Sequence, residues 1–442
     1  MAFIKKITQY FHGHFSTKPY LKDIANNTFK NYIVLIIGLI PNFLLPIYLS
    51  QTEFGIFKSF MLFASYAGIF HLGYIDGIYL IFGGKNDSDV HVNDVSKQFS
   101  PLFYFQLLVF LITLTVSFAY SSEIIFYLSF YVFSFNLFFF YSYYLLITNQ
   151  IDKNANLKIV TKIINSLALI IPILIPCFRN HAAVIISFII STFILLFYVM
   201  VNTKLELSRM SLAKILNAIY ENCKIGFFMM LSNFTLMILY SIDKLFTLKY
   251  FSIEDFSIYI FYSSFIMLGQ IFLKSISEVA FAYFLKMDKN SLSLRYCKMD
   301  IILSVLWAAS FVLLFPMKFM VKYFYLNYLP GFDILIILWC TVFFAAKINI
   351  LHYNIYLIFK KQFSFFKITI IALIVAATLN YIFFSFYKTL TAIALATLLS
   401  YLLLYSGNIF YMIYYKIINY KSYLLWNIIP VVFLFALSFP KM

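Results

Sequence analysis

Tyr48-Leu49-Ser50-Gln51-Thr52-Glu53-Phe54-Gly55-Ile56-Phe57 is matched, at one constant offset, by Tyr250-Phe251-Ser252-Ile253-Glu254-Asp255-Phe256-Ser257-Ile258-Tyr259. Acids are scarce in this chain, so the pairing of Glu53 with Asp255 says more than matches among Tyr, Phe and Ile. Carried onward, the same offset sets Asp76 over Glu278. Each stretch joins two long apolar runs. A repeated apolar hairpin of this kind reads as two related halves, a common plan among membrane transporters.

The runs on either side explain why the hairpin is apolar. Of 442 residues 63% are hydrophobic and 21% aromatic, only 11% are charged, and mean hydropathy is +0.90. Such a chain cannot cover a water-facing surface with polar groups. A membrane span takes roughly 20 mostly apolar residues, and the pattern recurs about twelve times: Asn27–Ser50, Gly55–Ile81, Ser100–Tyr120, Glu123–Asn149, Leu157–Cys177 and Ala182–Asn202, then Ile225–Tyr250, Ser257–Leu285, Met299–Met317, Gly331–Phe359, Phe365–Tyr387 and Leu390–Tyr415. The expected fold is therefore all-α and polytopic. Residues 1–202 form a first six-helix unit with an amphipathic N-terminal segment, 203–224 a linker, 225–415 a second unit and 416–442 a C-terminal apolar segment. Within that last part, Tyr423–Phe439 with its Pro430 reads either as a further span or as an interfacial piece. Pro41 and Pro46 in the first span, and Pro172 and Pro176 in the fifth, are the positions where bending is expected.

Charge sets orientation. The net charge of +16 would suit nucleic acid, but the basic residues fall in alternate short loops. Lys5, Lys6, Lys85, Lys153, Lys158, Lys162, Lys204, Arg209, Lys286, Lys289, Lys360 and Lys361 share one side, and only Arg179, Lys249, Lys318, Lys322 and Lys388 the other. This is the positive-inside pattern and places the N-terminus in the cytoplasm. Phe3, Ile4, Ile7, Tyr10 and Phe11, and likewise Leu205 to Ile219, have helical apolar spacing suited to the membrane surface. Cys177, Cys223, Cys297 and Cys340 are scattered and read as apolar fillers. Asp87 and Asp89 in a loop carry no metal signature beyond their spacing.

Ionisable groups inside spans are costly and face a partner or a cavity. Lys58, Asp76, Asp243, Lys244, Lys274, Glu278 and Lys347 are the candidates. Lys274 and Glu278 share a helical face. Lys347 has no partner in its own helix, so Lys347→Ala is expected to leave insertion intact. Lys58 stands near a span end, where snorkelling is the plain alternative. Asp243 and Lys244 serve equally well as structural glue, and His71 as a packing residue. Together the lysines suit an anionic substrate, with the acids offsetting the field or carrying a coupling proton or sodium ion.

Several stretches resemble one family. Ile40-Pro41-Asn42-Phe43-Leu44-Leu45-Pro46-Ile47-Tyr48-Leu49 with Glu53-Phe54-Gly55-Ile56-Phe57 is similar to the opening hairpin of polysaccharide biosynthesis flippases. Ser241-Ile242-Asp243-Lys244 with Asp255-Phe256-Ser257-Ile258-Tyr259 resembles the start of their second half. Leu72-Gly73-Tyr74-Ile75-Asp76-Gly77 through Gly83-Gly84-Lys85 resembles a signature of the O-antigen flippase branch. Ser257 departs from the pattern by standing where a glycine matching Gly55 would be. The resemblance implies the multidrug/oligosaccharidyl-lipid/polysaccharide exporter superfamily and two pseudo-symmetric six-helix lobes around a central cavity. It implies a non-enzymatic flippase of the bacterial inner membrane, serving O-antigen, lipopolysaccharide or capsule assembly. The implied substrate is an undecaprenyl-pyrophosphate-linked oligosaccharide, carried from cytoplasmic to periplasmic leaflet without a bound cofactor. Lys274, Lys347, Lys244 and Lys58 would be its cavity cations, and Asp76, Asp243 and Glu278 the coupling or charge-balancing acids. The partners implied are membrane lipid, a polysaccharide polymerase and a chain-length regulator. A cation or multidrug antiporter would want an acidic cavity instead, and an O-antigen polymerase or ligase a large external loop.

Overall fold

The computed structural model describes residues 19–83, 95, 97–148, 150–202, 207, 210–266, 277, 289–359 and 361–415. Lys274, Glu278, the N-terminal amphipathic segment, Asp87, Asp89 and Tyr423–Phe439 lie outside them. Among the described residues the chain is all helix and turn, without a strand.

The expected spans are found close to their expected limits. The first runs Pro19–Tyr48, the second Gln51–Phe82 with a break, the third Phe99–Ala119, the fourth Glu123–Ile147, the fifth Ile151–Leu174 and the sixth His181–Asn202. In the second half the seventh is Leu212–Leu239 continued by Ile242–Tyr250, and the eighth is described over 253–266. The ninth runs from Lys289 to Phe324, the tenth from Phe332 to Ile358, the eleventh Gln362–Tyr387 and the twelfth Leu390–Tyr414. Nine of these helices, or ten with the bent second span, are long and apolar enough by themselves to cross a membrane among the described residues. Their outward faces carry Phe118, Phe197, Phe315 and Phe410, each with most of its surface exposed. Water would not tolerate so continuous an apolar exterior, and lipid does. The chain is a multi-pass membrane protein.

Several limits differ from expectation: the first helix begins at Pro19 rather than Asn27, and the ninth runs from Lys289 to Phe324 rather than from Met299 to Met317. Residues 212–224, expected in the linker, belong to the long helix Leu212–Leu239. The fifth helix starts at Ile151 rather than Leu157, so Lys153 stands on its first turn rather than in a loop.

The fifth helix ends at Leu174, just after Pro172, and Pro176 opens a separate 3-10 turn, as the prolines there lead one to expect. Pro41 and Pro46 lie within one uninterrupted helix. The second span instead breaks by 55° between His71 and Tyr74, where Leu72 (φ 48) and Gly73 (φ 83) are both left-handed. Leucine pays roughly 1–2 kcal/mol for that conformation, so the surroundings hold it there. The tenth span contains a π-helical turn, Ile348–His352, directly after Lys347.

The repeat is visible in the caps. Ser50 accepts a hydrogen bond from the Glu53 N–H, and Ser252 accepts one from the Asp255 N–H. Each is a Ser-x-x-acid start that supplies an orphan donor of the new helix. The two starts meet: the Thr52 hydroxyl donates to Glu254 at 2.6 Å. Thr52 and Glu254 are equivalent positions in the repeated stretch, so the two helix starts meet in a contact of matching points. Around it Gln51 donates to the Asn327 carbonyl and the Tyr325 hydroxyl to the Phe43 carbonyl. A Cβ on Gly55 would come within 2.6 Å of the Ile253 carbonyl oxygen, so glycine is what lets the two helix starts close.

The halves also touch well away from Ser50. After its break the second span packs on the seventh so closely that a Cβ on Gly226 would lie 2.0 Å from the Gly73 oxygen and 2.2 Å from the Gly77 nitrogen. Asn222 beside this contact donates to Gln98, which stands at the N-cap position of the third span. The halves are thus joined near both ends of the second span.

Candidate functional site

Lys58 is 7% exposed, on the second helix two turns from its Ser50 end. Its ammonium does not snorkel. It donates to Asn42 Oδ1 of the first span at 2.7 Å and lies over the Phe54 ring. No carboxylate is in ion-pair distance of Lys58 among the described residues.

Asp76 sits in the first turn after the break in the second span, facing His71 Nε2 at 3.8 Å. The other ring nitrogen of His71 accepts from the Gly73 N–H. His71 thus ties the break together, as a packing residue would, and helps to hold Leu72 and Gly73 in place.

Asp243 opens the short helix that ends the seventh span and is 4% exposed. It accepts from the Tyr259 hydroxyl at 2.7 Å and from the Lys244 N–H at 2.9 Å. The Lys244 ammonium is 3.5 Å from Asp243 and donates to the Tyr240 carbonyl. This pair is neutralised within its own turn.

Lys347 has no exposed surface at all. Its ammonium meets Asp300 of the ninth span at 2.8 Å and lies over the rings of Phe343 and Tyr405. The partner that its own helix does not offer thus comes from the ninth span, so Lys347→Ala would remove an ion pair between two spans and the expectation that it leaves insertion intact is revised. The π-helical turn next to Lys347 places His352 against the Tyr296 hydroxyl, stacked between Tyr296 and Tyr405. Asp300 could have been seen in the sequence, since it stands inside the expected ninth span.

Sequence reasoning passed over two further groups. Glu53 accepts from both the backbone N–H and Nδ1 of His181, whose Nε2 lies 3.5 Å from Glu123, so an acid–imidazole–acid chain ties the second, fourth and sixth spans. Lys162 of the fifth span is half-buried against the first. The structure therefore gathers Lys58 and Lys162 against the first span, and keeps Lys244 and Lys347 apart from them in ion pairs of the second half.

No family model matches the chain, and no curated protein matches it. Solved structures do. The lipid II flippase MurJ in an inward-closed conformation is similar over 95% of this chain and 93% of its own, with a TM-score of 0.63 at 16% identity. The fold is that of the MurJ and MATE transporters. A multidrug-resistance MATE family transporter of the MOP superfamily in an inward-facing conformation matches at TM-score 0.53 and 13% identity, covering 94% and 96%. A MOP superfamily transporter from Pyrococcus furiosus matches at 0.50 and 13%, with the same coverage. At such identities the MurJ/MATE likeness is one of architecture, and the chemistry of the site has to come from the residues of this chain.

Proposed function

We propose that the chain is a flippase of the bacterial inner membrane that moves an undecaprenyl-pyrophosphate-linked oligosaccharide, such as an O-antigen or capsule repeat unit, from the cytoplasmic to the periplasmic leaflet. The observation that carries this reading is Lys58: a buried cation in the first lobe held, among the described residues, by a neutral amide and a ring. Placing an ammonium at such a site without a counter-charge is unfavourable. An anionic head group supplies the missing charge during transport. The fold shared with the lipid II flippase MurJ supports a lipid-borne substrate.

Alternating access then proceeds by rocking one lobe on the other. Separating Thr52 from Glu254 opens the periplasmic side, and unseating Gly226 from Gly73 opens the cytoplasmic side. The N-terminus is cytoplasmic, as the distribution of lysine and arginine requires. A proton or sodium ion is the coupling species, with Asp76 and Asp243 as its candidate carriers, and Lys274 and Glu278 remain candidates for head-group and balancing roles. A polysaccharide polymerase and a chain-length regulator would act on the product.

Deleting the gene should abolish surface glycan and cause the pyrophosphate-linked precursor to accumulate. Unchanged surface glycan with new sensitivity to cationic dyes would sink the flippase reading and favour an antiporter.

A further inference from the structure

Along the first span, Asn42 and Gly38 occupy one face a helical turn apart. The Asn42 side chain accepts from Lys58 Nζ at 2.7 Å and donates to the Gly38 carbonyl at 3.2 Å. Above the bare Cα of Gly38 lies the end of Lys162: a Cβ there would be 2.1 Å from Lys162 Cε and 2.6 Å from its Nζ. Ser166, one turn further along the fifth span, donates to the Ile37 carbonyl and fixes the two spans together at this level. Two ammonium groups, from the second and fifth spans, are thereby set against one face of the first span. A helical turn corresponds to a rise of about 5.4 Å.

Neither ammonium is in an ion pair among the described residues. The acid of the fifth helix, Asp152, is near its start and is bound to Lys30 at 3.0 Å. Like charges at this spacing repel, more strongly inside protein than in water. An anion that bridges the two ammonium groups relieves this repulsion. A diphosphate carries negative charge on two adjacent phosphoryl groups, so it can meet both ammonium groups at once. A monophosphate has one phosphoryl group to divide between them.

We infer that Lys162 is a second phosphate-binding residue, forming with Lys58 and Asn42 a two-cation site that selects a diphosphate-bearing lipid over its monophosphate. This rests on the lipid-linked reading above. Gly38 is the residue that admits the Lys162 ammonium. Because Lys162 is flexible at that end, Gly38→Ala should displace the charge without disrupting the helix pair.

The test is equilibrium binding to the purified full chain in detergent, with farnesyl diphosphate, farnesyl monophosphate and inorganic pyrophosphate as probes. Wild type should prefer the diphosphate lipid. Lys162→Gln should weaken that binding by about tenfold, the size of one lost charge-assisted contact, and remove the preference over the monophosphate. Lys162→Arg should retain it. Gly38→Ala should reproduce the Lys162→Gln result with an unchanged melting temperature. An unaltered preference in both Lys162→Gln and Gly38→Ala would overturn the role of Lys162, while loss of binding in Lys58→Gln alone would leave the flippase reading standing. Failure of wild type to bind either lipid would overturn both. Pyrophosphate competing as well as farnesyl diphosphate would assign the site to the free anion and overturn its assignment to a lipid.

Discussion

Lys58 and Lys347 are the same side chain, similarly hidden, in opposite halves of a repeat, yet the two halves treat them differently. In the second half the ninth span brings Asp300 to 2.8 Å from Lys347 and the rings of Phe343 and Tyr405 close over it. In the first half Lys58 receives, among the described residues, the oxygen of Asn42 and the face of Phe54, and Lys162 is stationed nearby. One lobe neutralises its cation internally, while the other, among the described residues, keeps two without a carboxylate in ion-pair distance. Burial alone therefore does not mark a ligand group. The identity of the partner does, because a paired charge has little left to offer a substrate.

The largest effect should come from breaking the neutral pair. Asp300→Ala takes away the carboxylate 2.8 Å from the buried Lys347 ammonium, and removing one member of such a pair typically costs about 3–5 kcal/mol. A sharp fall in melting temperature and membrane yield is expected, with most of it recovered in Asp300→Leu combined with Lys347→Met. Normal stability of Asp300→Ala would show that the pair is not holding the ninth and tenth spans.

Lys58→Met should behave in the opposite way. Relieving an uncompensated cation should leave stability unchanged or raise it by up to about 2.5–3.5 kcal/mol, the insertion cost of a mid-span lysine. Export should nevertheless collapse. Thermal melting and surface-glycan staining of the same variant decide the matter, and a destabilised yet active protein would reverse the comparison between the lobes.

The contact of Gly226 with Gly73 and Gly77 joins the halves without charge. Gly226→Ala should overpack it at a cost of about 1–3 kcal/mol and favour separation there. Faster labelling of a cysteine placed at Asn222 would report this, and unchanged labelling would show that the helices seat themselves another way.

The smallest effect is expected where the repeat meets itself. Thr52→Val removes one hydrogen bond to Glu254, worth about 0.5–1.5 kcal/mol. A disulfide trap between Thr52→Cys and Glu254→Cys should form in the resting protein. Absence of the cross-link would argue that the lobes part at this end.

Much of the architecture could be read from the sequence because its causes are local. Apolar runs of spanning length specify helices wherever the solvent is lipid, and the helix starts at Ser50 and Ser252 are set by a serine and an acid three residues later. The break at Leu72 was not legible. Proline marks the break at the end of the fifth helix, but in the second span a left-handed pair held by His71 and by the close seating of Gly226 makes the break without one. Lys58, Asp243, Lys244 and Lys347 were identifiable as charges within spans, since an ionisable group in an apolar run is conspicuous whatever surrounds it.

The sequence by itself thus determined the multi-pass helical class, the approximate limits of the spans and the duplicated hairpin. Only the tertiary structure decided which charges are satisfied. Asp300 reaches Lys347 across two helices, and Lys162 reaches the first span because Gly38 leaves room for it. The physical reason is the range of the forces. Hydrophobic length and helix capping act within a few residues, whereas the energy of a buried charge depends on whichever helix packs against it.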